Sequence, residues 1–136
     1  MMIEINGSFG DGSGQVLRTS ISLPAILNKL VRIFNIRANR PKPGLKAQHA
    51  TGIRAAAKIC NAEIEGVKLN SKEIYFKPNK ITGGNFEINI GAAGSISLIL
   101  QVLMPMLAFA KSQTQLTITG RTDVNWSPPI DYIQYD

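Results

Sequence analysis

One order of elements occurs twice in this chain, and it narrows the possible folds more than any other feature. Ile3-Glu4-Ile5-Asn6, the glycines from Gly10 to Gly14, a helix carrying Pro24, and Ile33-Phe34-Asn35-Ile36 come first. Phe86-Glu87-Ile88-Asn89, the glycines Gly91 and Gly94, an apolar helix carrying Pro105, and Leu116-Thr117-Ile118 come second. Strand, glycine loop, proline-bearing helix and strand, repeated in that order, imply a duplicated supersecondary unit. Residues 1–84 read as a first β-α-β-α-β-β unit, and residues 85–136 as an incomplete second unit of the same domain. The expected fold class is α/β, an α+β sandwich with helices packed on a mixed sheet.

Local pattern supplies the element boundaries. Alternation predicts strands over 2–6 and 62–65, and β-branched and aromatic residues predict others over 31–36, 73–77, 86–90 and 115–119. Helices are expected over 14–28, with Val16, Leu17, Ile21 and Leu27 as core positions, and over 45–60. On the second of these, Leu45, His49, Ile53, Ala56 and Cys60 fall on one face while Lys46, Arg54 and Lys58 look outward. A third helix over 95–110 is apolar on nearly all sides and is expected to be buried. Pro24 predicts a kink or an early end in the first helix, and Pro105 a bend in the third. Residues 79–85, with Gly83-Gly84, read as a hairpin-type turn, 120–129 as an irregular loop, and 130–136 as the start of a helix.

A chain of 136 residues holds one domain with a substantial core. At 44% hydrophobic and 18% charged residues it is globular rather than disordered. No segment resembles a signal peptide, and the apolar run 98–110 is too short to span a bilayer and contains Gln101 and Pro105. No membrane partner is expected, and the single cysteine, Cys60, fits a reducing, cytoplasmic setting. Its neighbours Ala57, Ile59 and Ala62 make Cys60 a small core residue, not a nucleophile.

The net charge of +6 is unevenly spread. Between Asp11 and Glu63 there is no Asp or Glu, while Arg18, Lys29, Arg32, Arg37, Arg40, Lys42, Lys46, Arg54 and Lys58 all lie there. A one-signed half of a domain points to a polyanionic partner such as nucleic acid or nucleotide. The densest part is Arg37-Ala38-Asn39-Arg40-Pro41-Lys42-Pro43-Gly44-Leu45-Lys46-Ala47-Gln48-His49. Pro41 and Pro43 stiffen this loop, Gly44 lets the backbone turn, and the loop runs into a helix N-terminus. Guanidinium forks, unpaired amides and the positive helix end then converge on a place for phosphate, the alternative being a solvated basic loop.

Other candidates are less decisive. Gly10-Asp11-Gly12-Ser13-Gly14-Gln15-Val16-Leu17-Arg18 lies between a strand and a helix, as a phosphate cradle would, but has neither the Walker A nor the dinucleotide spacing; a plain tight turn fits as well. Arg18 falls in the first helical turns, able to aim at the same phosphate as Arg40, and Asp11 is placed to hold a metal ion or offset an arginine. His49, the only histidine, reads as a packed, hydrogen-bonded residue or as a catalyst. Gln101 reads as a buried polar group in need of a partner, either structural or a ligand.

These motifs, with Gly91-Ala92-Ala93-Gly94-Ser95 and with Gly120-Arg121-Thr122-Asp123 followed by Ser127-Pro128-Pro129-Ile130-Asp131-Tyr132, resemble the RNA 3'-terminal phosphate cyclase family in order along the whole chain. The resemblance is to the amino-terminal part of a longer protein, built from repeats of such units on a fold shared with enolpyruvyl transferases. It implies an ATP-dependent, ligase-type enzyme that uses a divalent metal (Mg or Mn) to adenylylate a histidine. AMP then passes to an RNA 3'-phosphate, and the 2'-hydroxyl displaces it to leave a 2',3'-cyclic phosphate. By the same resemblance Asp11, Arg18, Arg40, Gln48, His49, Gln101 and Pro128 fall on ATP and phosphate positions, Asp11 also on a metal position, and Arg37, Arg40 and Lys42 on RNA phosphate positions. The adenylylated histidine belongs to a later segment; His49 is not it, so the fragment alone is expected to be inactive. Asp11 stands where a glutamate is usual, and Arg121 where a glycine is common. The alternative is a non-catalytic cyclase-like protein of RNA binding or ribosome assembly. An incomplete second unit leaves apolar surface uncovered, so self-association is expected, with 98–110 or 116–119 near the contact.

Overall fold

A computed structural model describes residues 2–8, 14–91, 96–110, 112–120 and 124–126. The elements run β1 (Met2–Asn6), α1 (Gly14–Leu27), β2 (Leu30–Phe34), α2 (Ala47–Cys60), β3 (Glu63–Glu65), β4 (Ile74–Lys77), β5 (Gly84–Gly91), α3 (Ile96–Leu107), β6 (Thr114–Gly120) and β7 (Val124–Trp126). They form an α/β fold with two mixed sheets. One has the order β1-β2-β4-β3, with β1 parallel to β2 and the remaining pairs antiparallel. The other has the order β5-β6-β7, parallel and then antiparallel. The three helices pack on one another, with α1 against β2 and α2 against β5.

The core lies between these layers. Val31, Ile33, Ile74 and Phe76 from the first sheet and Leu116 and Ile118 from the second are fully buried. They meet Ile21 of α1, Ile53, Ala56 and Cys60 of α2, and Ile99, Leu103 and Met106 of α3. Alternation fixes which side of each strand faces inward. In β2, Val31 and Ile33 are buried while Arg32 is only partly covered and lies against Glu4 and Glu73 on the open face.

Helix α2 follows from its alanines, the strongest helix formers, and from its two ends. Asn61 closes it in the left-handed region (φ 52°), with its N–H on Ala57 O. At its start Lys46 is extended, and its backbone N–H donates to His49 Nδ1 at 3.3 Å, so His49 does the work of the Glu or Gln in a capping box. Helix α1 continues through Pro24 to Leu27 rather than ending early, and Asn28 (φ 56°) terminates it.

Five expectations are corrected. Residues 79–85 do not form a hairpin, because β4 and β5 belong to different sheets. The segment crosses between them, tied by Asn79 Nδ2 to Asn61 O (2.8 Å), and Gly83 lies where any β-carbon would collide with Ser112. That glycine is needed for close approach, not for a two-residue turn; the hairpin is β3–β4. Helix α3 is not covered all round: Ile99, Val102, Leu103, Met106 and Leu107 are buried, but Gln101 and Pro105, four residues apart, share an exposed stripe. Gln101 is therefore exposed, not buried. Leu27 is 53% exposed, because it lies at the frayed last turn of α1. Within 120–129, three residues pair with β6 as β7. The helix expected over 130–136 lies outside the described residues, as do Asp11, Arg121 and Pro128.

Candidate phosphate site

The basic loop leaves β2 through two left-handed residues, Asn35 (φ 53°) and Arg37 (φ 50°). An arginine in that region is strained by about 1–2 kcal/mol relative to the right-handed one. Its side chain explains why it stays there. Arg37 is buried, and its Nη1 donates to Lys42 O at 2.8 Å and to Gly44 O at 3.0 Å, so the guanidinium closes the loop from within. The outer turn, where Arg40 N–H donates to Arg37 O, carries Arg40 and Lys42 on its exposed side. Gly44, at φ 88°, brings the chain back, with its N–H on Ile36 O, before Leu45 and α2.

Beyond the loop, α1, α2 and α3 enclose a narrow cleft. Arg18 and Leu17 line it from α1, Gln48, His49 and Gly52 from α2, and Leu98 from α3. Its interior space is about 20 Å³, room for little more than a water molecule. Arg18 also borders a shallower groove on the other side of α1, with Ser22, Leu23, Gln101 and Pro105. Ser22 Oγ, which donates to Val102 O at 2.9 Å, pins α1 to α3 there.

His49 reports the electrostatics of the cleft. Its pKa is pushed down to about 4, first by burial and then by the positive charges of Arg37, Arg18 and Lys46. The imidazole is neutral at physiological pH. Because Nδ1 accepts from Lys46, the remaining ring proton is on Nε2. Neither nitrogen then offers a free lone pair, and His49 is a poor nucleophile. Arg37, Arg18 and Lys46 are thus close enough for their charges to act on the His49 ring. The first-turn amides of α2, at Ala47 and Gln48, have no bonding partner within the helix, as at any helix start.

The structure therefore brings Arg18, Gln48 and His49 together around the cleft, with Arg37 and Lys46 near enough to act on His49. Gln101 meets Arg18 only across the second groove. Arg40 and Lys42 line neither space and stand on the outer turn. Lys46 was not among the expected site residues. The signal for it was its spacing from His49, since positions three apart at a helix start are those of a capping box. Cys60 is buried, donates to Ala56 O at 3.2 Å, and has its thiol pushed up to about 11 by burial, all of which fits an inert core residue.

Among the described residues no group of three or more His, Cys, Asp or Glu is placed to hold a metal ion, and no helix is long and apolar enough to cross a membrane. The cleft wall is largely apolar, with Leu17, Ile21, Ile53, Ile99 and Val102, and Arg18, Gln48 and His49 are its polar members.

Residues 9–135 match the family model described as RNA 3'-terminal phosphate cyclase. The chain is 56% identical to the RNA 3'-terminal phosphate cyclase of Archaeoglobus fulgidus over 98% of its own length and 40% of that protein's. It is 54% identical to that of Methanosarcina acetivorans, over 98% of this chain and 38% of the relative. With that of Pyrococcus furiosus it shares 53% identity, over 97% of this chain and 39% of the relative. The chain thus spans about 40% of the length of the curated relatives it matches. With a match running almost from end to end, the chain belongs to the RNA 3'-terminal phosphate cyclase family.

Proposed function

We propose that this chain carries part of the nucleotide and phosphate site of an ATP-dependent enzyme that converts RNA 3'-phosphate ends to 2',3'-cyclic phosphates. The chemistry supplied by ATP, with Mg or Mn, is adenylylation, first of an enzyme histidine and then of the RNA 3'-phosphate, so that the 2'-hydroxyl can displace AMP. The role of these residues is charge neutralisation and orientation: Arg18 and the start of α2 hold phosphate oxygens, and Gln48 and His49 position them. Arg37 shapes the loop, and its remaining donors add positive field; Arg40 and Lys42 face the RNA side. Asp11 and Pro128 keep their family roles at the metal and the nucleotide, and Gln101 its role at the nucleotide by way of the groove it shares with Arg18. Fixed cations at a transferring phosphoryl group are a large source of catalysis.

The observation that carries this reading is the focus of Arg18, Arg37 and Lys46 on a buried neutral His49. Because the ring proton and the capping bond occupy both nitrogens of His49, the chain by itself lacks the adenylylated nucleophile. We read residues 1–84 and 85–136 as successive units of one domain, working in the cytoplasm, with Leu23 and Leu27 as a self-association surface. Incubation with α-labelled ATP and Mg or Mn tests the reading. No covalent protein–AMP is expected, while a 3'-phosphorylated RNA should bind more tightly than its 3'-hydroxyl form. A stable adduct, or equal binding of the two ends, overturns it.

A further inference from the structure

Two loops remote in sequence are laced together beside the candidate site. Ile36 N–H donates to Lys72 O at 3.0 Å, Leu45 N–H to Ser71 O at 2.9 Å, and Asn70 N–H to Leu45 O at 2.8 Å. The second loop, between β3 and β4, is itself braced: Ser71 N–H donates to Lys68 O at 3.2 Å, and Arg54 Nη2 of α2 donates to Val67 O at 2.7 Å. Fixed backbone on both sides holds the Cα positions of these two loops in one relative arrangement.

Those side chains are cationic. Arg40, Lys42 and Lys46 are exposed on the first loop, and Lys68 and Lys72 on the second. Neither 35–62 nor 66–72 contains an Asp or Glu. The flanking Glu73 is drawn onto the open face of the first sheet, where its carboxylate accepts from Arg32 and from Tyr75 OH. Among the described residues the ion pairs go to Arg32, so these five cations form a ridge without carboxylate neutralisation. Lys46 lies two and three residues before Gln48 and His49, and the backbone bonds of Leu45 with Asn70 and Ser71 set the segment from Lys68 to Lys72 beside it.

We propose that this ridge, with Lys68 and Lys72 as its outer part, is a track for the sugar–phosphate backbone of the RNA nucleotides immediately upstream of the 3'-phosphate. The inference rests on the functional reading above. An RNA whose terminal phosphate sits at the start of α2 must leave across some surface, and this one is rigid, basic and continuous with the site. Backbone contacts of this kind hold the strand without reading its bases.

The test uses the whole chain and fluorescence anisotropy with 3'-phosphorylated RNAs, one a dinucleotide and one a decamer. Lys68→Glu/Lys72→Glu is compared with Lys29→Glu/Lys77→Glu, a control at the opposite end of the first sheet. The ridge variant should weaken decamer binding by at least about tenfold and lower the slope of log K against log salt by about 1.4, two contacts at about 0.7 each. Dinucleotide binding should not change. The milder Lys68→Gln/Lys72→Gln should lie between, which keeps the test valid if charge reversal disturbs folding. An unchanged decamer affinity, an equal loss in the control pair, or displacement of the decamer by poly-glutamate as effective as by RNA overturns the track. If the wild-type chain does not bind the dinucleotide while decamer binding still depends on Lys68 and Lys72, the ridge stands as an RNA surface and the 3'-end reading falls.

Discussion

Gly44 and Asn70 pack backbone to backbone so closely that no β-carbon fits between them: one built on Gly44 would lie 2.3 Å from Asn70 O and 2.5 Å from its carbonyl carbon. Gly44 also sits at φ 88°, where L-residues are strained. The basic loop and the β3–β4 loop therefore meet only because this position is glycine.

Gly44→Ala should accordingly destabilise the fold by at least about 2 kcal/mol, strain and backbone collision together. Urea denaturation measures the loss. The same substitution should weaken RNA binding in the part that still folds, since Leu45 and Lys46 move with the loop. A variant as stable as the parent would mean that the two loops are not held in this arrangement.

His49 makes stability depend on pH in a defined window. Its folded pKa of about 4 lies below the ordinary 6.5, so between those values the unfolded chain binds the extra proton. Stability should be level above about 6.5 and fall as pH drops toward 4, by an amount on the order of 2–3 kcal/mol at about 1.4 kcal/mol per unit. His49→Gln can still accept at the cap, so it should flatten this profile without losing the helix start. Denaturant midpoints measured from pH 4 to 8 decide between the two outcomes.

Much of this architecture was legible in the sequence, and the failures share a cause. Alternation placed β1 residue for residue, and the buried face of α2 followed from helical spacing, because each signal is local and each element packs on one side. Gly83-Gly84 was misread because a glycine pair marks a tight turn and a close backbone approach equally well; only the second sheet, built from distant β6, separates them. Gln101 was misread because a largely apolar helix does not say which side its neighbours leave open. At the site, the spacing pairs Arg18 with Arg40 on one phosphate, whereas Arg18 meets Gln48 and His49 at the cleft and Arg40 lines neither space; nor does the sequence announce Arg37 as an internal clamp. That role depends on a left-handed backbone that a non-glycine residue does not announce.

Arg37 has a second effect that can be observed directly. After burial, its charge does most to depress the His49 pKa. Arg37→Met removes the charge and keeps much of the volume, so the His49 pKa should rise from about 4 toward its ordinary value while burial holds it below 6.5. The chain has one histidine, so a single imidazole resonance in an NMR titration reports the change. Adding inorganic phosphate to the parent protein should move the same resonance in the same direction, because an anion offsets the same field. A His49 pKa indifferent to both would separate Arg37 from the site.

Leu23 and Leu27, one turn apart on α1, are 52% and 53% exposed, and Leu23 shares its groove with Pro105 of α3. Two half-exposed leucines one turn apart on a helix, the first of them beside a proline, form the kind of apolar surface that association covers. The expected occupant in a solution of this chain alone is a second copy, and sedimentation velocity should show a concentration-dependent dimer. Leu23→Glu/Leu27→Glu should shift that equilibrium to monomer by at least about tenfold, since burying each leucine contributes roughly 1.5 kcal/mol or more. Both side chains are substantially exposed in the folded chain, so the variant should keep its thermal stability when measured at concentrations where the parent is monomeric. A parent protein that stays monomeric at high concentration would remove this surface as the contact.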